Sequence, residues 1–472
     1  MKKKIIIIIV TIALLLSIPG TLLVWGLALP AQYGGAFLGE LKHKVRMLEV
    51  TPGPRIILVG GSGAAFGVDS ALMERELPGY SVVNFGMYAA LGTTVMLDLS
   101  QPHIREGDIV LLIPEQQEQT LSDWFDPAVM WQGLDGAFDL LRLLPKDKLE
   151  RLAGAFPAFA GQKFSCFLQG QPLQPQGIYR RDSFDEKGDI SSPLCARNEM
   201  PGGFDASTPI RFDTDMVTEA FARRVRDYAE AVKSAGAILW YAPCPMNGAA
   251  VENKEDVDGF YASLQERLSI PLAGNPHDFI LDAGWFYDTN FHPNSSGKTV
   301  YTKALIRAVK AMLGDSSPTD IPLPEMPELA RAVSWVGDDS DGACFTYGEV
   351  SGTLAVTGLT REGMERTALT VPSVWEGKSV TAIGPSAFSG AENLREITLQ
   401  LNIGTISDGA FGGCAALERI IIQSAQPSAC RVGQRLLEGT SAKIYVPVEA
   451  LSAYRTDYFW SVYGGSVRPM EA

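Results

Sequence analysis

A serine follows two glycines in the stretch LVGGSGAAFGVDS, residues 58–70, at the end of a short apolar run. A dinucleotide-binding turn needs a G-x-G-x-x-G/A pattern, but Phe66 stands at the third place. A phosphate-binding P-loop needs a lysine, and this stretch contains none. A nucleophile elbow, G-x-S-x-G, fits up to Ser62, but Ala64 replaces its last glycine. Ser62 is therefore either a hydrolytic nucleophile or part of a tight strand-to-helix turn.

A hydrolytic serine needs a base and a third group that orients the base. Asp288 and His292 stand four residues apart in WFYDTNFHPNSSG, after the last predicted strand. The loops that follow parallel strands share one edge of a sheet, so these two residues and Ser62 are expected in one crevice. The arrangement predicts acyl chemistry in which Ser62 attacks, His292 moves the proton and Asp288 orients His292. The other histidines fall outside such loops or are better explained as exposed or structural: His43, His103 and His277.

Short apolar runs separated by helix-like segments predict a doubly wound, flavodoxin-like α/β domain over residues 55–313 with five parallel strands. The expected strands are 55–59, 80–85, 108–113, 237–243 and 278–282. An amphipathic helix is expected over 214–236 and another from Asn294 onward. Residues 116–212 lack a clear period and predict a large insertion, with a helix over 135–144.

Three segments resemble the conserved blocks of the SGNH/GDSL hydrolases: GGSGAAFGVDS, NFGMYAALG and DTNFHPN. The domain looks most like the membrane-anchored, outward-facing branch that includes the teichoic-acid D-alanylation and alginate-acetylation proteins. The resemblance implies a catalytic Ser62, Asp288 and His292, with oxyanion donors from the backbone of Ser62 and Gly86. It also implies an ester of an envelope polymer or glycan as substrate, and no cofactor or metal.

Two features depart from that family. The Asp–His spacing is D-x-x-x-H, one residue longer than usual, and no G-x-N-D block follows the third strand, where the sequence is IPEQQEQ. The third oxyanion donor is therefore missing or replaced, with Gln116 as the candidate. Glu115 is a candidate substrate contact at the same strand end. Loss of one such donor typically costs ~10²–10³ in rate, so a silent site stays open.

The N-terminal sequence MKKKIIIIIVTIALLLSIPGTLLVWGLALP has no charge from Ile5 to Leu29. A helix over this run would rise ~38 Å, enough to cross a ~30 Å hydrocarbon core. The lysines before it place the N-terminus in the cytoplasm and the bulk of the chain outside the cell membrane. Residues 1–30 are predicted as a single-pass signal anchor and 31–54 as a juxtamembrane segment. A signal peptide cleaved near Ala28 or Ala31 is the alternative.

The charge balance excludes one class of partner. The chain has 40 basic and 54 acidic residues, a net charge of −14, which argues against nucleic acid. An external location permits disulfides, and Cys166 and Cys195 could pair in one polar stretch. The cysteines have no C-x-x-C spacing, so a zinc site is not expected.

A repeat follows a proline-rich linker predicted at 314–335. VTAIGPSAFSGAENLREITL aligns with IGTISDGAFGGCAALERIII, with every matched apolar residue offset by 23. This period predicts a short leucine-rich solenoid in 336–472, and it resembles bacterial surface repeats of the BspA type. Two functions therefore compete. The chain is either a surface SGNH-like esterase or O-acyltransferase, or a catalytically silent scaffold whose repeats mediate adhesion or bind a protein.

Overall fold

The structure is a computed structural model. It describes residues 20–168, 178–191, 195–198, 200, 203–205, 208–327, 339–350, 353–433, 435–457, 460, 463 and 466–470. The chain divides into two compact units. Unit 1 consists of Met1–Phe204 and Pro209–Leu329, and unit 2 of Asp205–Thr208 and Ala330–Ala472.

A parallel four-stranded sheet forms the centre of unit 1, in the order β2-β1-β3-β4. The strands are β1 (Arg55–Gly60), β2 (Ser81–Asn84), β3 (Ile109–Ile113) and β4 (Ile238–Tyr241). The first and third are buried along their whole length, as expected for strands covered on both faces. The mixed α/β class with a parallel sheet is confirmed.

The fifth expected strand does not join this sheet. Of residues 278–282, only β6 (Ile280–Leu281) is extended, and it pairs with β5 (Met246–Asn247) in a separate two-stranded sheet. The edge of β4 is already occupied, because Tyr241 N–H donates to Pro271 O and Ala273 N–H donates to Tyr241 O. The prediction of five strands in one sheet is therefore wrong.

Helices cover both faces of the sheet. They are α1 (Leu41–Val50), α2 (Ser62–Gly67), α3 (Ser70–Glu76), α4 (Thr93–Ser100), α5 (Pro127–Leu134), α6 (Lys146–Leu168), α7 (Glu219–Ser234), α8 (Val257–Leu268) and α9 (Ser295–Met312). The apolar face of α7 is buried, and the Asn294 side chain caps α9 by accepting from Gly297 N–H.

The expected insertion contains more regular structure than its sequence indicates. Residues 135–144 hold a 3₁₀ helix (Phe138–Leu143) rather than an α-helix, and the 23-residue α6 follows it. The α6 sequence has a weak apolar period and Pro157 inside it, which is why the pattern does not predict a helix. Helix α6 is stabilised instead by tertiary packing, in which the rings of Trp131 and Phe159 stack with centroids 5.0 Å apart.

The N-terminal segment is described from residue 20. Residues 20–28 are helical and pack on α6, with Trp25 stacked on Phe164 at 4.0 Å. Helix α1, in the expected juxtamembrane segment 31–54, is partly buried in the core of unit 1. None of the helices in the described residues has the length and apolarity to cross a membrane. Residues 1–19, most of the predicted anchor, lie outside the described residues.

All six cysteines lie within the described residues, and none of them forms a disulfide. The suggested pairing of Cys166 with Cys195 is therefore not present. Burial raises the pKa of the Cys166 thiol, which disfavours the reactive thiolate.

Unit 2 contains two five-stranded sheets, in which neighbouring strands are parallel except for the antiparallel pair of β7 and β8. One sheet has the order β16-β14-β12-β8-β7, and the other β18-β17-β15-β13-β9. Their strands are β7 (Phe345–Val350), β8 (Thr353–Leu359), β9 (Ala368–Thr370), β12 (Ala382–Ile383), β13 (Glu396–Leu399), β14 (Thr405–Ile406), β15 (Arg419–Ile422), β16 (Arg431–Val432), β17 (Lys443–Val446) and β18 (Val467–Pro469). A hairpin of β10 (Val374–Trp375) and β11 (Lys378–Ser379) and the helices α10 (Arg361–Glu365) and α11 (Leu451–Thr456) complete the unit.

The 23-residue offset between the repeats equals the offset between paired residues of neighbouring strands in the solenoid. Ile383 pairs with Ile406, and Ile397 pairs with Ile420. Between these strands, Phe388 stacks on Phe411 with ring centroids 5.1 Å apart. Residues equivalent in sequence therefore lie directly above one another, as predicted for a repeat that buries its apolar edge against its neighbours.

The described part of the predicted linker has no helix or strand from 315 to 327. It is nevertheless attached to unit 1, because Ile321 is buried and its carbonyl accepts from Lys303 Nζ on α9. Residues 328–335 of the predicted linker lie outside the described residues.

Candidate functional site

Ser62 lies at the turn between β1 and α2, where two glycines let other elements come close. A Cβ atom at Gly60 would lie 2.2 Å from the carbonyl oxygen of Ile113 on β3, and one at Gly61 would lie 2.1 Å from Glu115 Oε2. A side chain at Gly60 would collide with the backbone of β3, and one at Gly61 would displace the Glu115 carboxyl group. The two glycines bring the end of β3 directly against the serine.

Asp288 and His292 form a buried pair in the segment between β6 and α9. The imidazole Nδ1 lies 2.8 Å from Asp288 Oδ1, and the two side chains are 6% and 3% exposed. The long D-x-x-x-H spacing permits this contact because the chain turns back on itself, with Tyr287 N–H donating to His292 O at 2.8 Å. With Nδ1 facing the carboxylate, Nε2 is left to act as a base.

Phe66 positions His292. Its ring stacks on the imidazole with centroids 4.0 Å apart and planes 3° apart. Phe66 lies one helical turn after Ser62 on α2, so one short helix carries both the serine and the surface on which the histidine rests. A Cβ atom at Gly63 would lie 3.3 Å from Phe291 O, which places the histidine segment against the same helix. The residue that breaks the dinucleotide pattern thus supports the imidazole.

Tyr179 is a further member of the cluster that the sequence did not indicate. Its hydroxyl donates to Asp288 Oδ2, and its oxygen lies 3.3 Å from His292 Nδ1. Burial, and then the Asp288 charge, raise the Tyr179 pKa well above its ordinary value, so the phenol stays protonated. Tyr179 lies in the expected insertion, which has no period or motif that marks it.

Glu115 lies beside Ser62 at the end of β3. Its Oε1 accepts from Gly63 N–H at 2.7 Å and from Ser62 Oγ–H at 3.3 Å. The Ser62 hydroxyl therefore donates to Glu115 rather than to His292. Burial raises the pKa of Glu115, against the opposing effects of the Gly63 N–H and of His292.

The two expected oxyanion groups other than Ser62 are engaged elsewhere. The Gly86 N–H donates to Asn84 Oδ1 at 3.0 Å. The Gln116 side chain donates to the Arg211 carbonyl at 3.0 Å and accepts from the Tyr261 hydroxyl at 3.5 Å. Gln116 therefore bonds to the insertion and to α8, whereas its neighbour Glu115 contacts the serine.

The other histidines lie apart from this cluster. His277 is half exposed and bonds Asp258 at 2.9 Å, and His43 lies 3.8 Å from Glu40. Burial lowers the pKa of His103, which lies at the end of the strands opposite to Ser62.

No group of three or more histidine, cysteine, aspartate or glutamate side chains in the described ranges is arranged to hold a metal ion.

Comparison with known families identifies the C-terminal region. The model of the BspA type leucine rich repeat region matches six copies over residues 368–435. Residues 368–435 are BspA-type leucine-rich repeats. The BspA-type region coincides with the solenoid of paired β-strands in unit 2, so the prediction of these repeats is confirmed. Among curated proteins, no match to the chain is found.

Three solved structures are similar to parts of the chain. A leucine-rich cell surface protein from Faecalibacterium prausnitzii A2-165 is 20% identical over 22% of this chain and 31% of its own, with a TM-score of 0.17. A leucine-rich repeat protein from Bacteroides ovatus ATCC 8483 is 24% identical over 22% and 34%, with a TM-score of 0.17. The YxiM protein from Bacillus subtilis is 13% identical over 55% and 57%, with a TM-score of 0.26. The chain thus spans between about a third and somewhat over half of their lengths.

Proposed function

We propose that the chain is a cell-surface binding protein whose BspA-type repeats contact a protein partner. The observation that carries this proposal is the family match over 368–435, within a solenoid of parallel strands. Alternate residues of β13, β15 and β17 are buried, so the intervening side chains face outward in aligned rows.

The outward rows offer mixed chemistry to a partner. Strand register aligns Glu396, Arg419 and Lys443 in one row, and Thr398, Ile421 and Tyr445 in the next. The Arg419 guanidinium lies 4.7 Å from the centre of the Tyr445 ring. Arginine and tyrosine side chains are enriched among the residues that dominate protein interfaces.

Binding of the intact chain to a panel of purified extracellular proteins tests this function. We expect Tyr445→Ala with Arg419→Ala to weaken a specific interaction at least tenfold, whereas Leu401→Ala, which removes another exposed side chain of the repeats, leaves it unchanged. Equal binding by both variants would exclude this face as the contact.

A second function is favoured by the cluster in unit 1: an SGNH-like serine esterase or O-acyltransferase acting on an acyl group of an envelope polymer or glycan. The supporting observation is the buried Asp288–His292 pair, which stacks on the same helix that begins with Ser62. Nucleophilic catalysis by a serine needs an imidazole base that a carboxylate orients, and this pair supplies both groups.

The chemistry would proceed in two steps. The Ser62 hydroxyl turns from Glu115 toward His292, and Oγ attacks the acyl carbon while its proton moves to His292 Nε2. The tetrahedral adduct collapses, the alcohol leaves with that proton, and the acyl group stays on Ser62. Water or a sugar hydroxyl then repeats the attack with His292 as base, giving hydrolysis or transfer. Asp288 stabilises the imidazolium in both steps.

A chromogenic acetyl ester and a fluorophosphonate probe test this second function. We expect Ser62→Ala to abolish turnover and labelling, whereas Ser234→Ala, on the exposed end of α7, preserves both. A wild-type chain that is neither labelled nor active would leave the repeats as the functional part.

The proposed location is the outer face of the cell membrane, with residues 1–30 as the anchor. The uncharged run from Ile5 to Leu29 and the lysines before it support this location. Mass spectrometry of the membrane-extracted protein should recover the original N-terminal peptide. Quantitative recovery of chains that begin near Gln32 would instead indicate a cleaved signal peptide.

A further inference from the structure

In the described residues, only one of the two oxygens of the Glu115 carboxyl group is hydrogen-bonded. Its Oε1 accepts hydrogen bonds from Ser62 and Gly63, whereas Oε2 is buried and has no hydrogen-bond partner among the described residues. A buried polar oxygen without a partner is costly, and such atoms in folded proteins call for an explanation. Here the oxygen belongs to a group already in contact with the nucleophile.

The absence of a side chain at Gly61 makes space for the Glu115 carboxyl group. Gly61 has no side chain at the point where Oε2 lies, so the carboxyl rests on the backbone immediately before Ser62. Because Oε1 lies 3.3 Å from Ser62 Oγ, the carboxyl group adjoins the point at which Ser62 would attack an acyl group. No other side chain in the described residues is hydrogen-bonded to the Ser62 hydroxyl.

Burial favours the neutral form of Glu115. Tyr241 at the end of β4, Cys244 after it and Tyr301 on α9 interact electrostatically with the carboxyl, and burial raises the pKa of each of them, so all three are uncharged. His292, in the segment before α9, and the hydrogen bonds from Gly63 N–H and Ser62 favour the charged form. The same burial raises the pKa of Glu115 itself, and a neutral carboxylic acid can donate a hydrogen bond where a carboxylate cannot.

We propose that Glu115 is a catalytic residue that donates a hydrogen bond from Oε2–H to the acyl oxygen of the substrate. This role rests on the serine esterase or acyltransferase function proposed above. Glu115 keeps its proton throughout: the hydrogen bond strengthens as the carbonyl electron pair moves onto the oxygen, and it relaxes when the adduct collapses. Glu115 thereby takes the place of a donor that neither Gln116 nor the engaged Gly86 N–H supplies.

Two substitutions at Glu115 separate donation from packing. We expect Glu115→Ala to lower Ser62-dependent turnover ~10²–10³-fold, the usual loss on removing one oxyanion donor. Glu115→Gln has nearly the same shape and keeps both an acceptor and a permanent donor, so it should stay within ~10-fold of wild type. Fluorophosphonate labelling and thermal unfolding of both variants check that the serine and the fold persist.

The pH dependence of turnover provides the second readout. The active form needs His292 without its proton and Glu115 with it, so wild-type turnover should rise with pH and then fall as Glu115 ionises. Glu115→Gln cannot ionise and should lose the fall at high pH while keeping the rise. A group that only fills space would leave both limbs in place.

Infrared difference spectra of wild type minus Glu115→Gln measure the protonation state without any turnover. We expect the carbonyl band of a protonated carboxylic acid at neutral pH, and its absence would overturn the proposal. Equal turnover in Glu115→Ala and Glu115→Gln would overturn the role of Glu115 and leave the esterase function standing. A wild-type chain without Ser62-dependent turnover or labelling would overturn the esterase function and this role with it.

Discussion

The two compact units bury different kinds of side chain. Unit 1 buries ionisable groups in its core, among them Lys44, Arg55, Asp108, Glu115 and His292. In the described part of the repeat domain, the buried polar side chains are uncharged: Thr381, Gln400 and Ser424. Burying charge is costly unless it is paired, so the interior of unit 1 includes groups that do more than fill space. The solenoid interior can be explained by packing alone.

This difference indicates where each unit would act. Some of the buried charges in unit 1 are structural, such as Arg55 and Asp108, which bond each other at the start of β1 and β3. The cluster of Ser62, Glu115 and His292 lies at the opposite, carboxyl end of those strands, where ligands bind in parallel sheets. The solenoid instead carries its charged residues on outward strand faces, where a partner can reach them.

Replacement of His292 gives the largest expected effect and tests whether the buried charges of unit 1 are functional. His292→Ala should lower Ser62-dependent turnover ~10³-fold or more, because a serine hydroxyl is a poor nucleophile without a base. His277→Ala is the matched control, since it also removes a histidine bonded to an aspartate, but from an exposed pair. Steady-state kinetics measures both. Full turnover in His292→Ala would mean that another group activates Ser62.

Asp288→Asn should have the next largest effect, a loss of Ser62-dependent turnover of about 10²–10³-fold, because the amide cannot stabilise the imidazolium. The direct 2.8 Å contact to Nδ1 makes this loss larger than the unusual spacing alone would suggest. Asp258→Asn, in the exposed pair with His277, should leave turnover unchanged. The same turnover in Asp288→Asn and wild type would show that the imidazole is held by Phe66 and Tyr179 without the carboxylate.

The sequence predicts the repeats better than the site, for a physical reason. In the solenoid each contact joins residues at a fixed offset, so Phe388 above Phe411 is visible as a repeated letter. In unit 1 the strand ends indicate that Ser62 and His292 share an edge, but not which side chain the serine touches. The Ser62–Glu115 contact joins residues 53 apart with no local pattern. Tyr179 comes from a segment without any period, so only the folded structure brings it to Asp288.

Phe411→Ala tests the other side of the comparison. The Phe411 ring is buried against Phe388, and its removal should destabilise unit 2 by about 3–5 kcal/mol through lost burial and a cavity. Thermal unfolding should show one transition lowered and a second unchanged, with the unchanged one belonging to unit 1. Leu401→Ala, at an exposed position of the repeats, is the control. If Phe411→Ala also lowered Ser62-dependent turnover, the effect of the substitution would not be confined to unit 2.

Tyr179→Phe should have the smallest effect and separates positioning from chemistry within unit 1. The substitution keeps the ring among its aromatic neighbours and removes only the hydroxyl that donates to Asp288. Asp288 would still contact His292, so we expect turnover to fall about tenfold, with little change in KM, because the imidazole is less firmly oriented. Steady-state kinetics of Tyr179→Phe measures kcat and KM. Unchanged kcat and KM would assign Tyr179 to packing of the insertion against the site.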